Sequence, residues 1–297
     1  GRQTDFARLS AIAAKGVLLL LSDSTRAEVP GYTQSERHVG EIFDGIMARA
    51  QGRIITTTFA SNISRIKQIV DIAHFWGRRT AIIGRSMENY TKTARELGYL
   101  EYPEGAIVHP GDIGKLADNE ICIITTGSQG EPTSALSRMA LGDHRHVAVK
   151  EGDTVVMSSN PIPGNEELVS RTVDNLFKLG ADVVYDAGAR PHVSGHASQE
   201  ELKLLLNILQ PKHFVPIHGE YRMLVRHARM AIDLGVAAGN AFVITNGDSL
   251  EIDERGARLG EKVASGVVYV DGLGVGDVSQ SVMRDRWSIG SDGIFLV

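Results

Sequence analysis

The amino-acid sequence predicts an α/β protein with parallel sheets flanked by helices. Apolar, β-rich runs alternate with amphipathic segments of helical length along most of the chain. Each run ends in a polar loop rich in Gly, Ser or Pro, and that strand-loop-helix order argues for parallel strands with helices on both faces. A hydrophobic fraction of 42% and a charged fraction of 23% are those of an ordinary globular chain.

"GVLLLL" at 16–21 predicts a strand ending in "SDST", followed by a helix from about Ser35 to Ala50. "RIITTT" at 53–58 leads through "FASN" to a helix that ends near Trp76 and Gly77. "TAIIG" at 80–84 precedes a helix stopped by "LGY" at 97–99. "EICIITTGSQGEP" follows at 120–132, where Pro132 suits the first turn of a helix. "DTVVMSSNPIPGNEE" feeds a helix stopped by Gly180, "DVVYDAGARPHVSGHAS" feeds a leucine-rich helix, and "HFVPIHGE" opens one stopped by Gly235. Beyond it, "AFVITNGDSLEI", "GVVYVDGLGVGDV" and "GIFLV" read as short antiparallel strands joined by Asn-Gly and Asp-Gly turns. Ligands of parallel sheets collect at the carboxyl ends of the strands, which here carry hydroxyls, amides and glycines.

The 297 residues suffice for one large or two ordinary domains. A formal net charge of -5 requires any nucleic-acid surface to be local. No apolar run approaches the roughly 20 residues that span a bilayer, and no signal peptide is recognisable, so a cytoplasmic protein with no membrane partner is expected. Cys122 lies in "ICII" and reads as a core residue, which excludes an internal disulfide. The first residue is Gly1, the opening "GRQTDFARLS" is loop-like, and "GIFLV" stops inside a strand, so the chain is expected to be a piece of a longer polypeptide.

The segment "RPHVSGHASQEELKLLLNILQPKHFVPIHGE" at 190–220 holds four of the ten histidines. Ser198 followed by Glu201 forms a capping-box pattern, which starts a helix at Ser198 that runs to the residue before Pro211. His192 to Ser198 then precede a helix N-terminus, a natural anion site, with Gly195 permitting close backbone approach. Equally, Ser198 only caps and the histidines bond to nearby carbonyls. His218 follows an apolar strand 22 positions beyond His196, and one strand-helix-strand step puts both loops at one sheet edge. A neutral imidazole there suits a metal ligand or an acid-base group, but zinc wants three or four protein ligands and no further zinc motif is present. Asp23 is either a turn and cap residue or a carboxylate that orients a histidine. His74, His109, His144 and His146 read as surface or satisfied histidines. No "GxGxxG" or "GxxxxGK[ST]" follows a strand, which argues against a nucleotide-binding enzyme.

"LLLLSDSTRAEVPGYTQSE", "TTFASNISR", "TTGSQGEP", "SSNPIPGNE", "HVSGHAS" and "PIHGEYR", in this order through nearly the whole chain, resemble the ribonuclease J family of β-CASP, metallo-β-lactamase-fold nucleases. The resemblance implies a partial αββα metallo-β-lactamase domain at 1–37 and 196–275, a β-CASP domain inserted at 38–195, and the start of a linker and C-terminal region at 276–297. It implies Asp23 and His196 as catalytic residues, with Asp23 supporting His196, and His218 as a zinc ligand. His192, Ser194, Gly195, Ser198 and Ser61 would grip an RNA phosphate. Arg65 and Arg190 are either contacts to the RNA backbone or ordinary surface charges. Two Zn2+ ions are implied, with most of their ligands before Gly1, so that this chain alone should not hold its metals.

The expected function is zinc-dependent hydrolysis of RNA phosphodiesters, 5'-to-3' and in part endonucleolytic, on single-stranded RNA with a 5'-monophosphate. The complete protein is expected to be a homo-oligomer. The alternatives are a related hydrolase acting on DNA or a small phosphoester, and an inactive RNA-binding fragment.

Overall fold

A computed structural model describes residues 3–162, 164–185, 191–271, 274–275 and 279–292. Arg190 and the final "GIFLV" lie outside the described residues. The chain divides into two compact units, one of residues 1–4 and 32–196 and the other of residues 5–31 and 197–297.

The first unit is a five-stranded parallel sheet. Its strands are β2 (Ile54–Thr57), β3 (Arg79–Ile83), β4 (Ile121–Thr125), β5 (Thr154–Met157) and β6 (Asp182–Val184), in the order β3-β4-β2-β5-β6. Ile54 stands beside Cys122 on one side and Thr154 on the other. Alternate residues face opposite layers. Ile55, Ile123, Val155 and Met157 pack with Leu136 and Met139 of α5 (Ala135–Ala140) and with Val173 and Leu176 of α6 (Glu166–Lys178). Ile54, Cys122, Ile124 and Val156 pack with α2 (Glu36–Arg49), α3 (Ile63–Phe75) and α4 (Arg85–Glu96) through Phe43, Ile66, Ile69 and Met87. Both sheet faces are thus covered, which explains why β2 and β4 read as continuous apolar runs. Burial pushes the Cys122 thiol up to about 12.

The second unit pairs β1 (Leu19–Asp23) with β7 (His213–Ile217) in parallel, Leu19 opposite His213 and Asp23 opposite Ile217. Phe214, Ala27, Met230 and Ala231 fill its core with Leu202 and Leu206 of α7 (Gln199–Leu209), and α8 (Tyr221–Asp233) follows β7. The chain leaves this unit at Gly31 and re-enters at Ala197, and the Glu200 N–H donates to the Gly31 carbonyl. β8 (Leu250–Asp253) and β9 (Gly256–Leu259) form an antiparallel hairpin, and Val270–Asp271 pairs antiparallel with Gly274–Val275.

Three expectations are corrected. The opening stretch is a helix, α1 (Phe6–Ala13), capped by Asp5, whose carboxylate accepts from the Arg8 N–H. Eight residues with none buried leave a weak periodic signal. Pro132 does not open a helix; α5 begins at Ala135 with Ser134 as its cap. The turn joining β8 to β9 is Glu254-Arg255, while Asn246-Gly247 makes a turn outside any hairpin. Gln280–Asp292 forms a further helix, α9.

Candidate functional site

In the second unit, β1 and β7 end side by side, and their parallel register brings "SDST" against "HGE". Asp23 Oδ1 accepts from the Thr25 N–H at 2.8 Å, and Asp23 Oδ2 lies 3.0 Å from His218 Nδ1. The Thr25 hydroxyl donates to the His218 carbonyl at 2.9 Å and lies 3.0 Å from His218 Nδ1. Since that hydroxyl has only one proton, it accepts from Nδ1–H. His218 is therefore the tautomer with its proton on Nδ1, and Nε2 carries the lone pair that a metal takes. His218 itself has φ 52, in the left-handed region, so its backbone is strained and kept there by its neighbours. A Cβ on Gly219 would sit 3.3 Å from Ser24 Cβ, leaving little room for a side chain at that position.

Beneath this turn lies His227, fully buried, with its ring 4.8 Å from that of Phe214. Ser24 Oγ donates to the Ser22 carbonyl and so accepts from His227 Nδ1–H at 3.0 Å. Burial pushes His227 down to about 4. An open cavity of about 700 Å³ beside His218 is lined also by Thr245, Asn246 and Asp248. Lys262, followed by the Thr245 N–H and hydroxyl, holds the Asp248 carboxyl down at about 2.

The first unit carries the other predicted residues except Ser198. Ser61 is exposed in the loop after β2, and His192 and Ser194 are half-buried in the loop after β6. Ser194 Oγ accepts from the His196 N–H at 3.1 Å, and the Thr33 hydroxyl donates to the His196 carbonyl at 2.7 Å. His196 is the last residue of this unit, one peptide bond before Ala197. Among the described residues a Cβ on Gly195 would meet no atom within 4 Å, so none of them requires glycine there. Ser198, in the second unit, is fully buried; its N–H donates to Glu201 and its hydroxyl accepts from Arg26 Nε at 3.1 Å.

Arg65 is corrected from a surface contact to a core residue. It is 1% exposed. Nε and Nη2 donate to the two carboxylate oxygens of Glu36 at 2.6 and 2.8 Å, and Nη1 donates to the Ser158 carbonyl at 2.8 Å.

Residues 51–176 match the family described as "Ribonuclease J, beta-CASP domain", and residues 189–243 match "Zn-dependent metallo-hydrolase RNA specificity domain". The chain is 46% identical to Ribonuclease J2 of Bacillus subtilis (strain 168) over 294 residues, 99% of this chain and 53% of that protein. It is 43% identical to Ribonuclease J 1 of Streptococcus pyogenes serotype M3 over 100% of this chain and 53% of that protein. With Ribonuclease J of Thermus thermophilus the identity is 42%, over 100% of this chain and 52% of that protein. This chain belongs to the ribonuclease J family.

It spans about half the length of the curated ribonuclease J relatives it matches. Ribonuclease J family membership implies a metal cofactor, and the donor chemistry at the end of β7 fits one. His218 offers an imidazole in the ligand tautomer, backed by a carboxylate, as histidines on metals are. One imidazole is a share of a zinc site, which needs three or four protein ligands. Thr25, Ser24, His227 and Glu36 escape sequence reasoning. Thr25 stands in the quoted "SDST", but its contact with His218 spans 193 positions and becomes visible only through the β1–β7 register. Among the described residues no helix is long and apolar enough to cross a membrane.

Proposed function

We propose that this chain is part of a metal-dependent ribonuclease that removes nucleotides from the 5' end of single-stranded RNA. The observation that carries the reading is the Asp23–Thr25–His218 arrangement, which turns one imidazole into a ready metal ligand in a chain of the ribonuclease J family. A bound ion supplies charge for the phosphodiester oxygens and acidifies a water. His218 is a ligand in this scheme and Asp23 orients it. His196 donates a proton to the leaving oxygen. His192, Ser194, Ser61 and the backbone at Gly195 bind an RNA phosphate, whereas Ser198, expected among them, is fully buried and bonds instead to Arg26 and Glu201. Zinc is the metal expected from the family description.

The complete protein decides the matter. Given 5'-monophosphorylated and 5'-hydroxyl RNA of one sequence, it should degrade the first faster, lose activity to a chelator and regain it with zinc. Equal, chelator-resistant handling of both would rule the reading out, and equal cleavage of single-stranded DNA would move the substrate away from RNA.

A further inference from the structure

Arg65 and His192 meet in a way the proposed phosphate site does not by itself require. Arg65 Nη1 donates to His192 Nδ1 at 3.2 Å. A guanidinium has donors only and does not lose its proton, so the imidazole nitrogen facing it must be the unprotonated one. Neutral His192 therefore carries its proton on Nε2. The same Nη1 donates to the Ser158 carbonyl, while the other two guanidinium nitrogens are spent on Glu36. Three elements fix the group: α3 carries it, α2 supplies the carboxylate and the end of β5 the carbonyl. Ser158 also donates from Oγ to the Pro191 carbonyl at 2.6 Å, so the backbone just before His192 is tied to the strand end that receives Arg65.

We infer that Arg65 is a positioning residue for RNA phosphate recognition, holding His192 in the Nε2–H tautomer so that the ring presents a hydrogen-bond donor to the phosphate without having to be protonated. This rests on the assignment of His192 to the phosphate site. A lysine cannot replace it, because one ammonium does not offer a planar set of donors to Glu36, Ser158 and His192 together. A buried arginine that only stabilised the sheet could leave either tautomer at His192; the contact to Nδ1 allows one.

The test is nitrogen NMR of the His192 ring in the complete protein, assigned by loss of its signals in His192→Gln, with uridine 5'-monophosphate as the probe. At neutral pH the wild type should show Nδ1 unprotonated and Nε2 protonated, and the nucleotide should shift Nε2. Because Arg65→Met alone leaves the half-buried Glu36 carboxylate without its partner, it is paired with Glu36→Gln. This double variant should show mixed tautomers and bind the nucleotide about tenfold more weakly, the worth of roughly one hydrogen bond. A protonated Nδ1 in the wild type, or an unchanged tautomer in a folded double variant, overturns the role of Arg65 whatever the protein does to RNA. If the tautomer is as stated but the nucleotide leaves His192 unmoved, the phosphate assignment has failed, and the inference falls with it.

Discussion

Thr25 touches His218 twice, at the carbonyl and at the ring, and either contact alone would leave one degree of freedom open. The carbonyl contact keeps the backbone in its left-handed conformation and the ring contact sets the tautomer. Thr25→Val keeps the shape and removes both. In the complete protein, zinc affinity should drop 10- to 100-fold, the range found when groups supporting a ligating histidine are lost, and a competition titration with a zinc chelator would measure it. His227 behaves differently, because it is buried neutral. As pH falls below 6.5 the unfolded chain takes up a proton there that the folded chain resists until about 4, so stability present at neutral pH is lost across that window. The loss reaches about 3 kcal/mol at most. Urea midpoints should therefore fall more steeply from pH 6.5 to pH 4 for the wild type than for His227→Gln.

At the level of elements, the strands were the legible part. "ICIITT" and "RIITTT" are apolar on both faces because α5 and α6 cover one side of the sheet and α2, α3 and α4 the other. The stops at Gly180 and Gly235 were equally plain, since both have positive φ at helix ends. Helix α1 was missed for want of a buried face, and the start of α5 was placed too early because Ser134, not Pro132, caps it. In the candidate site, His192, His196 and His218 stood out by their glycines, but Arg65 could not be told from a surface charge until Glu36, 29 positions earlier, was seen beside it. Gly130 illustrates what loops contribute. It has φ +70, and a Cβ there would lie 2.5 Å from the Leu168 backbone carbon and oxygen in α6. Gly130→Ala should force the loop after β4 off α6 and cost at least about 2 kcal/mol, read as a lower midpoint in thermal unfolding.

For the molecule as a whole, the two units differ in how their contacts run along the chain. The first draws its sheet from one continuous stretch. The second is assembled from residues 5–31 and from residues after 196. Its crossing points adjoin, with Glu200 hydrogen-bonded to Gly31, so the long excursion leaves and returns at one place. Periodicity alone leaves "LLLLSD" and "HFVPIH" as two unrelated strands; only the family resemblance implied one domain interrupted by an insertion. A formal charge of -5 sits uneasily with generic attraction to a polyanion. The proposed affinity for RNA would then depend on a few directed donors, and the Nε2–H of His192 is proposed as one.

The parallel pairing of Leu19 with His213 imposes an order on biosynthesis. When β1 leaves the ribosome its partner strand has not been made, and at 5–20 residues per second roughly ten seconds or more pass before it emerges. During that interval the first unit can finish its sheet, while Leu20 and Ala27 wait without the core they will join. Nascent chains of this protein would thus hold β1 without its β7 partner throughout that interval, and shielding such a strand edge is a task for the chaperones that attend the tunnel exit.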